Sequence, residues 1–107
     1  FDAPLVFANS RTFRDEVRRR ASGMAEGDWL IVAAEPMTDV DTTACDMLDD
    51  LAIELDARGI RLVFAEMKDP VRRKLAQFGM DHALPPDRFY PTLEAAVAAV
   101  QRTGPEV

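Results

Sequence analysis

The stretch from Trp29 to Leu55 constrains the fold most, because the spacing of its apolar residues changes partway along. Residues 29–34 form a short apolar run with one aromatic and two β-branched side chains, which is typical of a strand buried on both faces. Pro36 ends the run, since proline cannot donate a hydrogen bond to a sheet. The apolar residues that follow have helical spacing and form one stripe: Ala44, Met47, Leu48, Leu51, Ala52 and Leu55. The sequence therefore predicts a strand, a loop and a helix, in that order.

The loop between this strand and this helix carries acidic and hydroxyl side chains: Thr38, Asp39, Asp41, Thr42 and Thr43. Asp41 is predicted to cap the helix, because its carboxylate can accept a hydrogen bond from a free N–H in the first turn. Thr42 and Thr43 then lie beside unpaired N–H groups and the positive end of the helix dipole. These groups suit a phosphate, either bound or carried by a threonine. Helix capping alone also explains the motif.

The flanking sequence continues the alternation of strand and helix. Apolar runs predict strands at 4–8 and 60–65 and a short edge strand at 89–90. Apolar strands joined by helices form βαβ units, so the strands should be parallel.

Three further helices are predicted, with their ends and buried faces. The first runs from Asn9 or Ser10 to about Ser22, the next begins with Asp69 as its cap, and Thr92 caps the last. Glycines are expected at three helix ends, at positions 23, 59 and 79. Helical spacing predicts these inward faces: Phe13, Val17 and Ala21; Val71, Leu75 and Phe78; Leu93, Ala96, Val97 and Val100.

Composition limits the function classes. The chain has 107 residues, enough for one domain, and its net charge of −6 argues against a nucleic-acid or acidic-membrane partner. Its single cysteine, Cys45, excludes an internal disulfide and fits a reducing compartment; it is either a reactive thiol or a small packing residue. No apolar run reaches the roughly 18 residues of a membrane span.

Five arginines of the first helix fit either a docking patch or a solvated face: Arg11, Arg14, Arg18, Arg19 and Arg20.

The motifs of the common enzyme classes are missing from the sequence. There is no glycine-rich dinucleotide or Walker-type motif. His82 is the only histidine, so it is the only imidazole that could serve a serine or cysteine nucleophile as its base. No second histidine or cysteine pair completes a metal set with it. Asp39 and Asp41 lack a third group for catalysis, and Ala33 ends the strand where a receiver-type Mg²⁺ site needs an acid. The sequence predicts a non-catalytic domain without a metal.

The segment from Val32 to Ala44, with the helix after it, resembles the core of the STAS family. Anti-sigma-factor antagonists of that family typically show Asp-Ser-Ser-Gly in this loop, and the matching residues here are Asp41-Thr42-Thr43-Ala44. The resemblance gives Thr43 the phosphoacceptor position. The opening Phe1-Asp-Ala-Pro-Leu-Val-Phe-Ala-Asn9 is similar to Phe-Asp-Ala-Pro-Leu-Phe-Phe-Ala-Asn of another branch, the cytoplasmic C-terminal domains of SulP sulfate and anion transporters. Residues 38–43 resemble that branch's Thr-Asp-Ile-Asp-Ser-Thr, and the likeness extends over nearly the whole chain.

This resemblance implies an α/β fold, with a small mixed β-sheet and about four helices packed mainly on one side. Residues 1–107 would form a single domain, and because the chain begins at Phe1 without methionine we expect a fragment of a longer membrane transporter. The implied role is regulatory and non-catalytic, on the cytoplasmic side of the cell membrane. The implied partners are the membrane domain of the same transporter and a soluble protein, with GTP or ATP as ligands at the 38–43 loop and no required cofactor. The alternative is an anti-sigma-factor antagonist switched by phosphorylation of Thr43.

Overall fold

The computed structural model describes residues 2–3, 10–37, 39–80, 82 and 84–102. The predicted strand at 4–8 and the candidate site residue Thr38 lie outside these ranges. The elements follow one another as β1 (Asp2–Ala3), α1 (Ser10–Ala21), β2 (Trp29–Ala33), α2 (Thr42–Ala57), β3 (Arg61–Ala65), α3 (Asp69–Gln77), β4 (Phe89–Tyr90) and α4 (Leu93–Arg102). A short 3-10 helix, Pro86–Arg88, precedes β4. No helix in the described ranges is long and apolar enough to cross a bilayer.

The strands form one sheet in the order β1-β2-β3-β4. In the central pair, Trp29 lies opposite Arg61 and Ala33 opposite Ala65. All three neighbouring pairs are parallel, because each connection contains a helix that returns the chain to the edge where the previous strand began. The α/β class with four helices is confirmed. Where the resemblance implied a mixed sheet, the described strands contain no hairpin and pair only in parallel.

Successive side chains of a strand point to opposite faces of the sheet, and here both faces are apolar. On one face, Leu30, Val32, Leu62 and Phe64 share a core with buried residues of the first three helices. On the other face, the buried residues of β2 and β3 pack against α4, with Trp29 and Tyr90 partly buried at the margin. Three helices therefore cover one side and a single helix the other, as expected.

The predicted inward faces are correct where the helix packs along its whole length. All three residues predicted for α1 and all six for α2 are buried. Phe78 is instead 41% exposed, because α3 ends at Gln77 and the helical spacing no longer applies beyond it. Val97 is 37% exposed and Ala99 is buried in its place, since α4 contacts the sheet through small alanines.

Two of the three predicted glycine stops are confirmed. Gly59 (φ 75°) and Gly79 (φ 80°) follow the last residues of α2 and α3 in the left-handed conformation that favours glycine. The prediction for Gly23 is wrong, because the glycine with a positive φ in that turn is Gly27. Asp69 is not a cap either: it lies in the first turn of α3, and Lys68 holds the cap position without a side-chain hydrogen bond.

Candidate functional site

The candidate loop follows β2 and leads into the amino end of α2. In parallel sheets of this kind, the carboxyl ends of strands and the amino ends of the next helices meet at one edge, where ligands bind. Four of the five candidate residues, Asp39, Asp41, Thr42 and Thr43, lie at this edge within the described ranges, and all four are exposed.

Asp41 caps α2 as predicted. Its backbone is extended (φ −116°, ψ −179°), and its Oδ1 accepts a hydrogen bond from the N–H of Ala44 at 2.8 Å. The Asp41 carbonyl accepts the N–H of Cys45 at 2.9 Å and begins the helical pattern. Among the described residues, no capping group contacts the N–H of Thr42 or Thr43. As far as the described residues show, the first turn of α2 therefore keeps two N–H donors for water or for a ligand.

Asp39 is held by a residue that sequence reasoning did not single out. Its Oδ1 accepts hydrogen bonds from the ammonium of Lys74 at 2.7 Å and from the N–H of Val40 at 2.9 Å. The Lys74 contact, with help from Val40, lowers the pKa of the Asp39 carboxyl below its ordinary value. Lys74 is on α3, so this ion pair ties the candidate loop to a second helix. The only signal in the sequence was that Lys74 lies off the apolar stripe of α3.

A groove of about 160 Å³ runs between the start of α2 and the end of α3. It is lined by Thr42, Cys45, Asp46, Asp49, Phe78, Gly79 and Met80. Burial, together with the nearby carboxylates of Asp46 and Asp41, raises the pKa of the Cys45 thiol. Cys45 is 4% exposed, so its environment favours a packing residue over a reactive thiolate.

The arginine-rich face of α1 is largely neutralised by neighbouring acids. Arg18 bridges to Glu54 of α2 at 2.9 Å, and Arg20 bridges to Glu16 at 2.7 Å, where Arg19 also binds. Pairing of this kind favours the solvated face over a docking patch for an anion.

The remaining chemistry near this edge serves structure. Glu66 has a positive φ of 64°, and its carboxylate accepts the N–H of Leu93 at 3.2 Å, at the start of α4. Thr92 caps the same helix as predicted, by accepting the N–H of Ala95 at 3.0 Å. His82 is exposed in a turn, and the described part of the chain contains no group of three or more potential metal ligands.

Comparison with known proteins gives one family. A family model described as "STAS domain" matches residues 1–96. A probable sulfate transporter of Mycobacterium tuberculosis is 37% identical over 107 residues, which cover 95% of this chain and 18% of the transporter. The chain thus spans under a fifth of the length of the curated relatives that it matches.

Solved structures share the fold. The anion transporter Slc26a9 of mouse, in its inward-facing state, matches with a TM-score of 0.83 at 20% identity, over 94% of this chain and 17% of the transporter. The STAS domain of a SulP transporter from Vibrio cholerae matches with a TM-score of 0.70 at 24% identity, over 92% of this chain and 75% of that domain's chain. A chain of the stressosome, a signal integration and transduction hub, matches with a TM-score of 0.73 at 17% identity, over 94% of this chain and 89% of the stressosome chain.

Proposed function

The chain belongs to the STAS domain family, and from that premise we propose that it is the regulatory domain of a SulP-type sulfate or anion transporter. The observation that carries the proposal is the 37% identity to a probable sulfate transporter over 95% of this chain. In this role the domain is non-catalytic, lies on the cytoplasmic side of the cell membrane and contacts the membrane domain of the same protein. The absence of enzyme motifs from the sequence supports the same role.

Transport by the whole protein tests this proposal. The complete reading frame that contains residues 1–107 is expressed in cells that lack sulfate uptake, and radiolabelled sulfate uptake is measured with and without the domain. We expect uptake from the complete protein and a changed rate when the domain is removed. A reading frame with no hydrophobic spans, or unchanged uptake after removal of the domain, would contradict the proposal.

We further propose that GTP or ATP binds at the start of α2 and that its phosphates contact the loop from Thr38 to Thr43. Two N–H groups that no described residue caps, together with the positive end of the helix dipole, favour phosphate there. Lys74, which already bridges to Asp39, is a cation within reach of the same loop.

Nuclear magnetic resonance locates this binding. Titration with GTP or ATP should shift the amide signals of residues 39–44, and Lys74→Met should weaken the effect. Arg73→Met is the matched control, because Arg73 is an exposed neighbour on α3 with no ion pair among the described residues. Shifts confined to residues 18–20 would place the site on α1 instead. If both variants weaken the shifts equally, Lys74 does not contribute to the site.

A phosphorylation switch at Thr43 is the second candidate function. Thr43 is exposed in the first turn of α2, and the likeness to a stressosome chain favours a fold used in signalling assemblies. Phosphate on Thr43 would add about −1.5 to −2 charges beside Asp39 and Asp41 and repel an acidic partner. Mass spectrometry of the protein purified from its own cells should then find phosphate on Thr43 and none in Thr43→Ala. An unmodified Thr43 under all growth conditions would contradict the switch.

A further inference from the structure

The outward side of α2 is an acidic face, which consists of Asp46, Asp49, Asp50 and Ile53. Asp49 and Asp50 each lie three or four positions from both Asp46 and Ile53, so the four residues lie together on one side of the helix. Asp46, Asp50 and Ile53 are exposed, and Asp49 is half-buried beside the groove. Like charges at this spacing destabilise a helix by a few tenths of a kcal/mol per pair, so this arrangement does not serve the stability of α2.

Within the described ranges, the carboxylates of this face form no ion pair with a basic side chain. The sequence of α2 contains no lysine or arginine. Further along the helix, Glu54 pairs with Arg18 at 2.9 Å and Asp56 approaches Arg88 at 3.5 Å. Across the described ranges, no comparable ion pair reaches Asp46, Asp49 or Asp50. Three neighbouring carboxylates on this face are therefore not compensated by an ion pair in the part of the chain that the structure describes.

Large apolar side chains border these charges. Ile53 is 59% exposed and Phe78 is 41% exposed. Phe78 lines the groove together with Asp46 and Asp49, so its ring lies next to the acidic face. Exposed apolar side chains surrounded by charged groups are the usual composition of a protein interface, with an apolar centre and a polar rim.

We propose that the acidic face of α2, together with Phe78, docks a basic and partly apolar loop of the transporter's membrane domain; this inference rests on the proposed function. Cytoplasmic loops of membrane proteins carry an excess of lysine and arginine, which complements the unpaired carboxylates. The same carboxylates repel anionic lipid headgroups of the cytoplasmic leaflet, so the face suits a protein segment and not the bilayer surface.

Binding between the chain and the membrane domain tests the proposal. The membrane domain is reconstituted in nanodiscs of zwitterionic phosphatidylcholine, and the affinity of the 107-residue chain is measured at low and at high salt. Loss of three surface ion pairs with the loop predicts about tenfold weaker binding for the triple variant Asp46→Asn, Asp49→Asn and Asp50→Asn. Ile53→Ala should weaken binding roughly fivefold through lost apolar burial. Added salt should weaken binding of the unmodified chain and have less effect on the triple variant.

Matched controls lie on the opposite side of the sheet. Glu94→Gln removes an exposed acid and Val97→Ala trims an exposed apolar side chain, both on α4, and neither should change the affinity. Equal affinities for the α2 variants and these controls, or binding unaffected by salt, would overturn the proposal.

A peptide experiment separates failure of this inference from failure of the proposed function. If the protein has no membrane domain, the proposed function fails, and a synthetic amphipathic lysine–leucine peptide then probes the surface directly. Amide shifts at residues 42–53 and 78–80 would support the docking surface. Shifts centred on α4, or no binding, would overturn it.

Discussion

Asp39 and Asp41 are two positions apart in one loop, and their carboxylates have different partners. Asp41 bonds to Ala44 three residues ahead, a contact within the helix that it caps. Asp39 bonds to Lys74, 35 residues away on α3. The first contact is set by local spacing and the second by the packing of two elements, so substitutions at these two residues should have different effects.

Replacing Asp41 with alanine should lower the free energy of unfolding by about 1 kcal/mol, because the N–H of Ala44 loses its cap. Asparagine keeps an acceptor oxygen, so Asp41→Asn should retain most of that stability. Urea denaturation followed by circular dichroism measures both. An alanine variant as stable as the unmodified chain would contradict the capping role.

The Asp39–Lys74 pair should make stability depend on pH. The lowered pKa of Asp39 in the folded chain means that its contribution is fully present above the ordinary aspartate pKa of about 3.9. That contribution is lost as the pH falls through the folded-state pKa. Lys74→Met should raise the Asp39 pKa toward its ordinary value, as read from the side-chain carboxyl signal in a nuclear magnetic resonance titration. An unchanged pKa in the variant would show that Lys74 is not the cause.

Replacing Thr43 with glutamate should leave the fold intact and raise stability slightly, by about 0.3–1 kcal/mol, because an acid at the amino end of α2 faces the positive end of the dipole. Thr43→Lys is the opposite-charge control and should lower stability by a similar amount. Thermal unfolding at low salt compares the two. A glutamate variant that unfolds would argue that the side chain of Thr43 is needed for packing.

At the scale of elements, helical spacing predicts burial well only where a whole face meets the core. All six predicted positions of α2 are buried because this helix packs along its length against the sheet and α1. The short helices α3 and α4 deviate at Phe78 and Val97, which lie beyond a helix end or beside a contact made by alanines. Glycine stops are the other element-scale signal, and the structure bears them out at Gly59 and Gly79 but not at Gly23.

Gly59 and Gly79 provide a matched test of the helix ends. Both have a positive φ, so alanine at either should cost about 1–2 kcal/mol of unfolding free energy. Gly59→Ala should cost more, since its Cβ would lie 2.4 Å from the Cγ of Glu26, whereas the space at Gly79 is open. Glu26→Ala should recover part of the difference in the double variant. Chemical denaturation of the four variants measures these costs, and equal losses at both glycines would rule out the Glu26 contact.

At the scale of the whole molecule, the two faces of the sheet are covered unequally. Helices α1, α2 and α3 share one large core, whereas α4 alone covers the buried residues of the second face. The second face therefore depends on a single helix at the end of the described chain.

Truncation after Thr92 should remove cooperative folding. Loss of α4 would expose Ile31 and Val63, which are fully buried. Exposing either side chain costs about 1.5–3 kcal/mol of unfolding free energy, and the total stability of a domain is only about 5–15 kcal/mol. Val97→Ala trims an exposed side chain of the same helix and should unfold normally. Thermal unfolding, and the binding of a dye to exposed apolar surface, compare the truncated chain with the Val97→Ala variant. A truncated chain with an unchanged transition would contradict this account of the second face.

The sequence alone determined the strand–loop–helix order around Trp29–Leu55, the cap at Asp41 and the buried stripe of α2. Each of these depends on residues within a few positions of one another, whose contacts follow from backbone geometry. The tertiary structure decided the contact of Asp39 with Lys74, the contact of Glu66 with the start of α4 and the exposure of Phe78 beside Asp46. These involve residues 27 to 35 positions apart, or a side chain past a helix end, and they depend on how the helices pack against the sheet, which local spacing does not encode.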